Sequence, residues 1–341
     1  MIPIMIILIL ITGVGAAFFL AGRLALSQWM HTPLPPGRLV VNGEDWWYVT
    51  VKGRGQIAVV IESRLGGPSP EWWAIQNALS DHARVVSYDR AGYGWSGSPA
   101  GPRTSLEVAR ELHVMLQSAN VPGPYILVGH SQGGLYIQHF ARLFPDEVAG
   151  CVFIDPLSTQ DDRFLQELDP HVYQGSGVDK RPAIRMTATL SRLGLLPLLK
   201  PVLIKSPPFY YYEDLSPEVI EIIWRHHLRP ELYTTSLAEY EEAHRPANTE
   251  QLMEHEFPQV PVTVLYHSAG IIIEEIIKYG GLEREQAQQV ESLWEDLTRS
   301  YLELAADSKW IVADRSSHFI PLDQPELVIA AVKEMLAALD R

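Results

Sequence analysis

The sequence predicts an α/β fold: a doubly wound, mostly parallel sheet with a helical cap insertion and an N-terminal transmembrane helix. Three observations carry this. Short apolar runs alternate with helices of ten or more residues, the pattern of a parallel sheet covered on both faces. The alternation stops between Leu157 and about Pro258, where the chain is helical, proline-studded and aromatic, and then resumes. Before all of this, Met1 to Gly22 carries no charged side chain.

Taken in order, the first 22 residues are dominated by Ile, Leu, Val and Phe. Roughly 20 such residues suffice to cross a bilayer as a helix. A cleavable signal has a basic start and a small-residue cleavage site. Nothing basic precedes Arg23, so the reading is an uncleaved single-pass anchor over residues 1–26, with secretion after signal cleavage as the alternative. Residues 27–37 contain Pro33, Pro35 and Pro36 and read as a linker. The first part of the globular core then spans 38–156. Leu39–Val41 and Trp46–Val51 flank the Asn42-Gly43 turn as two strands. Ile57–Ile61 is a continuous apolar run, as buried parallel strands are. A Gly66-Gly67-Pro68 loop and a short helix from about Glu71 follow. Val85–Tyr88 is the next strand and ends in Asp89-Arg90-Ala91-Gly92-Tyr93-Gly94-Trp95-Ser96. Ser105 to Ala119 is an amphipathic helix capped by Thr104 or Ser105. Tyr125–Val128 and Val148–Asp155 are strands separated by a helix over 134–144. Residues 157–258 form the cap. The second part of the core, 259–341, holds strand Val262–Tyr266, a helix from about Glu283 to Ala306, strand Trp310–Ala313 and a closing helix from Pro325 to Leu339.

Composition narrows the function. The 341 residues are 47% hydrophobic and 20% charged, so one large core, or a core with a cap, can form. A net charge of −14 leaves no basic stripe for phosphates and excludes nucleic acid as a partner. Cys151 is the sole cysteine, so no intramolecular disulfide or cysteine metal site exists. Its neighbours Val152-Phe153-Ile154 make it a buried apolar residue.

One pentapeptide carries the chemistry: Gly129-His130-Ser131-Gln132-Gly133, a G-x-S-x-G between a strand and a helix. Serine on that tight turn occupies a strained backbone conformation. Glycines at both flanks avoid clashes, and Oγ is pushed above the sheet toward the positive end of the next helix. Serine is a poor nucleophile at neutral pH and needs a base, which in turn needs an orienting acid. In such a sheet the order is Ser, acid, His. His318 sits in the loop Ser316-Ser317-His318-Phe319-Ile320, after the last strand and before the last helix, and is the candidate base among 12 histidines. Two positions compete for the acid. Asp155 ends Val152-Phe153-Ile154-Asp155-Pro156 at the carboxyl edge of the sheet. The loop after Tyr266 has no Asp but offers Glu274 or Glu275. The tetrahedral intermediate needs two backbone N–H donors. Gln132, after the nucleophile, is one. Leu65, in the loop Glu62-Ser63-Arg64-Leu65-Gly66-Gly67, is the other. Arg64 offers a contact for an anionic substrate group, but reads first as a surface salt-bridge residue.

Together Leu65-Gly66-Gly67 with Trp72, the Asp89-to-Ser96 loop, Gly129 to Gly134, and His318-Phe319-Ile320 with Gln324-Pro325-Glu326 resemble the α/β-hydrolase fold superfamily, from about Pro35 onward. The resemblance implies a Ser–His–acid triad carried onto Ser131, His318 and Asp155, a structural role for the Asp89–Ser96 loop, and no cofactor and no metal. The chain departs from many members in having Ser63-Arg64 where they carry His-Gly, Ser317 where Gly commonly precedes the histidine, and no Asp after Tyr266. A serine at the nucleophile position argues against dehalogenase and epoxide hydrolase chemistry, which use Asp there in related proteins. The expectation is a serine hydrolase of carboxylic esters. The apolar run Leu193–Ile204 and the cluster Phe209–Tyr212 in the cap, with the anchor, point to a hydrophobic or lipid-derived ester and to the membrane as a partner. Two alternatives stand beside it: a non-catalytic, membrane-tethered binding protein, and a cofactor-free perhydrolase or haloperoxidase-type activity on the same triad.

Overall fold

The computed structural model describes residues 35–339 and, before them, 15–17, 19–22, 24 and 27. Eight strands form one sheet in the order β1-β2-β4-β3-β5-β6-β7-β8. They are β1 (Arg38–Asn42), β2 (Asp45–Lys52), β3 (Ala58–Glu62), β4 (Arg84–Tyr88), β5 (Tyr125–His130), β6 (Val148–Ile154), β7 (Val262–Tyr266) and β8 (Ser308–Val312). β1 and β2 pair antiparallel, β2 pairs antiparallel with β4, and the remaining ladders are parallel. The doubly wound reading therefore holds, with an antiparallel edge that the Asn42-Gly43 turn creates; Gly43 takes φ +62 there.

The parallel strands are apolar throughout because both faces are covered. Val60, Leu127, Phe153 and Val264 point to one face, against helices α2 (Ser105–Ser118) and α3 (Gln132–Leu143). Val59, Ile61, Ile126, Val128 and Ile154 point to the other, against α1 (Trp73–Leu79) and the closing helix of the chain. The two-residue period of the strand makes this alternation. Thr104 caps α2 by accepting from the Glu107 N–H. Cys151 is buried in β6, and burial pushes its thiol up, as an apolar neighbourhood requires.

Between β6 and β7 the chain is helical: α4 (Arg163–Glu167), α5 (Pro170–Gly175), α6 (Arg181–Arg192), α7 (Leu196–Leu203), α8 (Pro217–His227), α9 (Pro230–Ala243) and α10 (Pro246–Leu252). After β7 come α11 (Ala269–Glu275) and α12 (Arg284–Arg299), and after β8 come α13 (Ile320–Asp323) and α14 (Pro325–Leu339). α11 is an element that the sequence pattern does not announce. Its Ile272, with Ile276 just beyond its end, packs with Phe164, Val172 and Leu282, so tertiary burial contributes to making it helical.

The expected anchor over 1–26 and most of the linker over 27–37 lie outside the described residues. Among the described residues, no helix is long and apolar enough to cross a membrane.

Candidate active site

The site forms where the carboxyl ends of β3, β5, β6 and β8 meet the helices above them. Ser131 follows β5 and precedes α3 with φ +54 and ψ −123, the strained turn its glycines foretell. Its N–H donates to Ile154 O at 2.9 Å, and its carbonyl accepts from Gly134 at 2.9 Å and Leu157 at 3.0 Å. These bonds fix the elbow against the end of β6. The glycines are required by contact as well as conformation. A Cβ on Gly133 would lie 2.4 Å from Glu62 O, and one on Gly129 would lie 2.7 Å from Gly133 O.

His318 Nδ1 lies 2.5 Å from Asp155 Oδ2. Asp155 is buried and itself has φ +43. Burial raises its carboxyl, but the imidazoles of His267 and His318 overcome this and hold it well below the usual carboxylate range. The two glutamates stand elsewhere. Glu274 is exposed and paired with Arg284 at 2.7 Å, and Glu275 accepts from Tyr210 Oη at 2.5 Å and Tyr211 Oη at 2.6 Å. Among the described hydrogen bonds, the acid partner of the His318 ring is Asp155.

His130, beside the nucleophile, points away from the reaction. Its Nε2 meets the carbonyl of His318 at 2.8 Å and its ring packs 4.9 Å from the His318 ring. Burial, then His318 and Arg64, push its imidazole well below the ordinary value, so it is neutral and donates to that carbonyl. It supports the histidine loop.

Gln132 is the first residue of α3, where helix geometry leaves the N–H without an intrahelical acceptor. Leu65 lies in the loop after β3, which Arg90 shapes. The Arg90 guanidinium donates to Ser63 O at 2.6 Å and Arg64 O at 3.0 Å, and pairs with Glu62 at 2.6 Å and with Glu239 of α9 at 3.0 Å. The rest of the Asp89–Ser96 loop is held by Asp89, which accepts from the Ser69 N–H at 2.8 Å and the Trp95 N–H at 3.0 Å. The structural role implied for that loop thus extends to joining the core to α9. Arg64 is buried, not at the surface: it pairs with Glu71 at 2.5 Å, and Tyr212 Oη bonds both. Two more groups escape sequence reasoning. His267 Nδ1 lies 2.7 Å from Asp155 Oδ2, and its Nε2 lies 3.1 Å from both oxygens of Glu291. Glu291 occupies an inward position of α12 beside Ala287 and Val290, so helical spacing could have exposed it as a buried carboxylate.

Ser131, His318, Asp155, Leu65 and Gln132 all line one cavity of about 730 Å³. Its far walls are Leu196, Leu203, Phe209, Tyr211 and Trp224 from the helices between β6 and β7. Its size falls within the range of small-molecule sites.

Similarity to known proteins agrees with this architecture. An AB hydrolase superfamily protein from Gibberella zeae is 25% identical over 301 residues, covering 82% of this chain and 86% of its own. An esterase structure from Thermogutta terrifontis superposes with a TM-score of 0.59 at 21% identity, covering 89% of this chain and 99% of that one. The enol-lactonase from Burkholderia xenovorans LB400 gives 0.60 at 17% identity, covering 88% and 100%. At these identities the two structures speak for the fold alone. The profile of the alpha/beta hydrolase family matches residues 63–331, and the chain, a hydrolase, belongs to that family.

Proposed function

We propose that this hydrolase cleaves carboxylic esters through an acyl-enzyme on Ser131. The observation that carries the reading is the strained Ser131 facing the same cavity as His318, whose ring is bonded to Asp155. Ser131 Oγ attacks the ester carbonyl while His318 Nε2 takes its proton. Asp155 accepts from Nδ1–H and stabilises the imidazolium. The Leu65 and Gln132 N–H groups receive the charge on the carbonyl oxygen. The intermediate collapses, the C–O bond breaks, and His318 returns the proton to the departing alcohol. Water, deprotonated by the same histidine, then releases the acid and regenerates serine.

The apolar far wall supports a hydrophobic acyl or alcohol group, with residues 157–258 acting as a cap over it. Leu193, Leu198, Val202 and Ile204 are exposed on the outer side of the α7 region. Gly22 abuts Gly194 there, close enough that a Cβ on Gly22 would meet the Gly194 backbone at 2.5 Å. Gly22 thus abuts this apolar face, and the exposed Leu193, Leu198, Val202 and Ile204 support a lipid surface as the source of substrate.

The test is turnover of a p-nitrophenyl ester series, acetate to palmitate, by the full chain, with Ser131→Ala as control and fluorophosphonate labelling in parallel. Serine-dependent turnover and labelling are expected. No turnover on any ester and no labelling would replace this reading with that of a binding protein.

A further inference from the structure

His267 stands directly behind the proposed acid, and its ring is enclosed by charge. Nδ1 lies 2.7 Å from Asp155 Oδ2, and Nε2 lies 3.1 Å from both Glu291 oxygens. The His267 side chain is fully buried, and the side chains of Asp155 and Glu291 are 0% and 4% exposed. A neutral imidazole has one N–H, so one ring nitrogen would turn a lone pair toward a carboxylate. With both carboxylates ionised, only the doubly protonated ring satisfies both contacts.

The other groups around the ring are compatible with that cation. Tyr266, at the end of β7, packs against it tilted, with centroids 4.1 Å apart, and donates its hydroxyl to Glu291 at 2.6 Å. Trp294 of α12 meets it edge-on at 5.2 Å. His318, from the loop after β8, shares Asp155 Oδ2 with it. No other charged side chain bonds to the ring among the described residues. Burial opposes the charge, yet Asp155 and then Glu291 push the imidazole up to about 10.

We propose that His267 is a positioning residue for the hydrolytic reaction: an imidazolium clamped between Asp155 and Glu291 that orients the Asp155 carboxylate toward His318 and tempers its charge. This rests on the ester-hydrolase reading of Ser131, His318 and Asp155. Asp155 benefits from such a clamp, since it leaves β6 with φ +43, a left-handed conformation that few non-glycine residues adopt. The His267 N–H reaches Oδ2 from α12's side of the site while His318 reaches the same oxygen from the cavity. The carboxylate rotamer is thereby fixed before substrate arrives. The positive charge behind it also weakens the hold of Asp155 on the His318 imidazolium, and Glu291 partly restores it.

Two variants move that balance in opposite directions. His267→Asn retains an N–H for Asp155 and removes the positive charge. The acidic limb of kcat/KM should move up by about one pH unit. Glu291→Gln removes the negative charge and leaves the cation, so the limb should move down. KM should change little in both. General loosening would lower kcat in both without opposed shifts. Limbs that stay in place, or shift the same way, overturn the proposal. The charge state is read independently in the wild-type full chain by ¹⁵N-histidine NMR, the signal being assigned by its loss in His267→Asn or, should that variant not fold, by its contacts to Tyr266. Two protonated ring nitrogens between pH 6 and about pH 9 are expected. A single one at pH 7 overturns the clamp. A doubly protonated His267 in a protein without serine-dependent turnover overturns the positioning role and assigns the failure to the ester-hydrolase reading, not to the clamp.

Discussion

Asp155→Asn decides which carboxylate serves His318, and the structure sets its size. The amide keeps an oxygen to accept both imidazole N–H groups, so geometry is preserved and charge is lost. The Nδ1···Oδ2 distance is 2.5 Å, and both charges are delocalised. An effective separation of about 4 Å at an effective dielectric constant of about 20 gives about 4 kcal/mol of imidazolium stabilisation. At 1.36 kcal/mol per tenfold this is about 1,000-fold in kcat, and the same exchange in a serine-protease triad loses about 10,000-fold. The expected loss is therefore about 1,000- to 10,000-fold in kcat on p-nitrophenyl butyrate. His267 remains paired with Glu291, so the fold should survive, as circular dichroism would show. Glu274→Gln should match the wild type because its carboxylate is exposed and bonded to Arg284. Glu275→Gln should alter KM more than kcat, since Glu275 lines the cavity on Tyr210 and Tyr211. A large kcat loss in Glu275→Gln with an active Asp155→Asn would refute the reasoning outright.

Ser131→Ala should reduce kcat by about a million-fold and abolish fluorophosphonate labelling, with urea unfolding unchanged. Glu239→Gln should destabilise the protein by about 3 kcal/mol in urea, because it strips Arg90 and Arg103 of a buried partner, and should lower kcat by loosening the Leu65 loop. Raising pH should erode a share of stability that His267 supplies: its folded value of about 10 exceeds the unfolded 6.5, so that share is complete below about pH 6.5 and disappears through about pH 10. Urea unfolding at pH 7 and pH 10 should show the gap between wild type and His267→Asn shrinking at the higher pH; a gap that persists would contradict the raised value.

Much of this was legible in the chain because the fold writes its strands as apolar runs and its elbow as a fixed pentapeptide. Val262–Tyr266, Pro325–Leu339 and Ser131 are all local signals. The chain named Asp155 as a candidate acid but could not separate it from Glu274 or Glu275, because a carboxylate is chosen by which strand ends lie side by side. Asp155 and His318 are 163 residues apart in sequence and meet only because β6, β7 and β8 are neighbours. Arg64 was misjudged for the same reason: Glu71 is near in sequence, but Tyr212, 141 residues beyond Glu71, closes over both and buries them. Glu291 and Glu239 lie on helices whose other faces are solvated, and a single charged residue in an apolar stripe is easily passed over. α11 has Ser268 at its N-cap but no side-chain capping bond, and is held by the packing of Ile272, with Ile276 just beyond its end.

The buried ionic groups share a location. Each bare ion taken from water costs several kcal/mol, so such clusters are poor devices for stability. Here they hold segments that line the same cavity as Ser131, where loops from separate elements must agree in position. On one side Arg90 joins Glu62 of β3, the carbonyls before Leu65 and Glu239 of α9. On the other, His267 joins Asp155 after β6 to Glu291 of α12. Apolar packing is tolerant of small slips, whereas a charged hydrogen bond fixes both distance and direction. In the proposed reaction, the first cluster holds the loop that would receive developing negative charge, and the second holds the carboxylate that would answer the developing positive charge. Both are complete before substrate arrives. The alignment that the reaction needs is thus held by contacts that the nucleophile itself never makes.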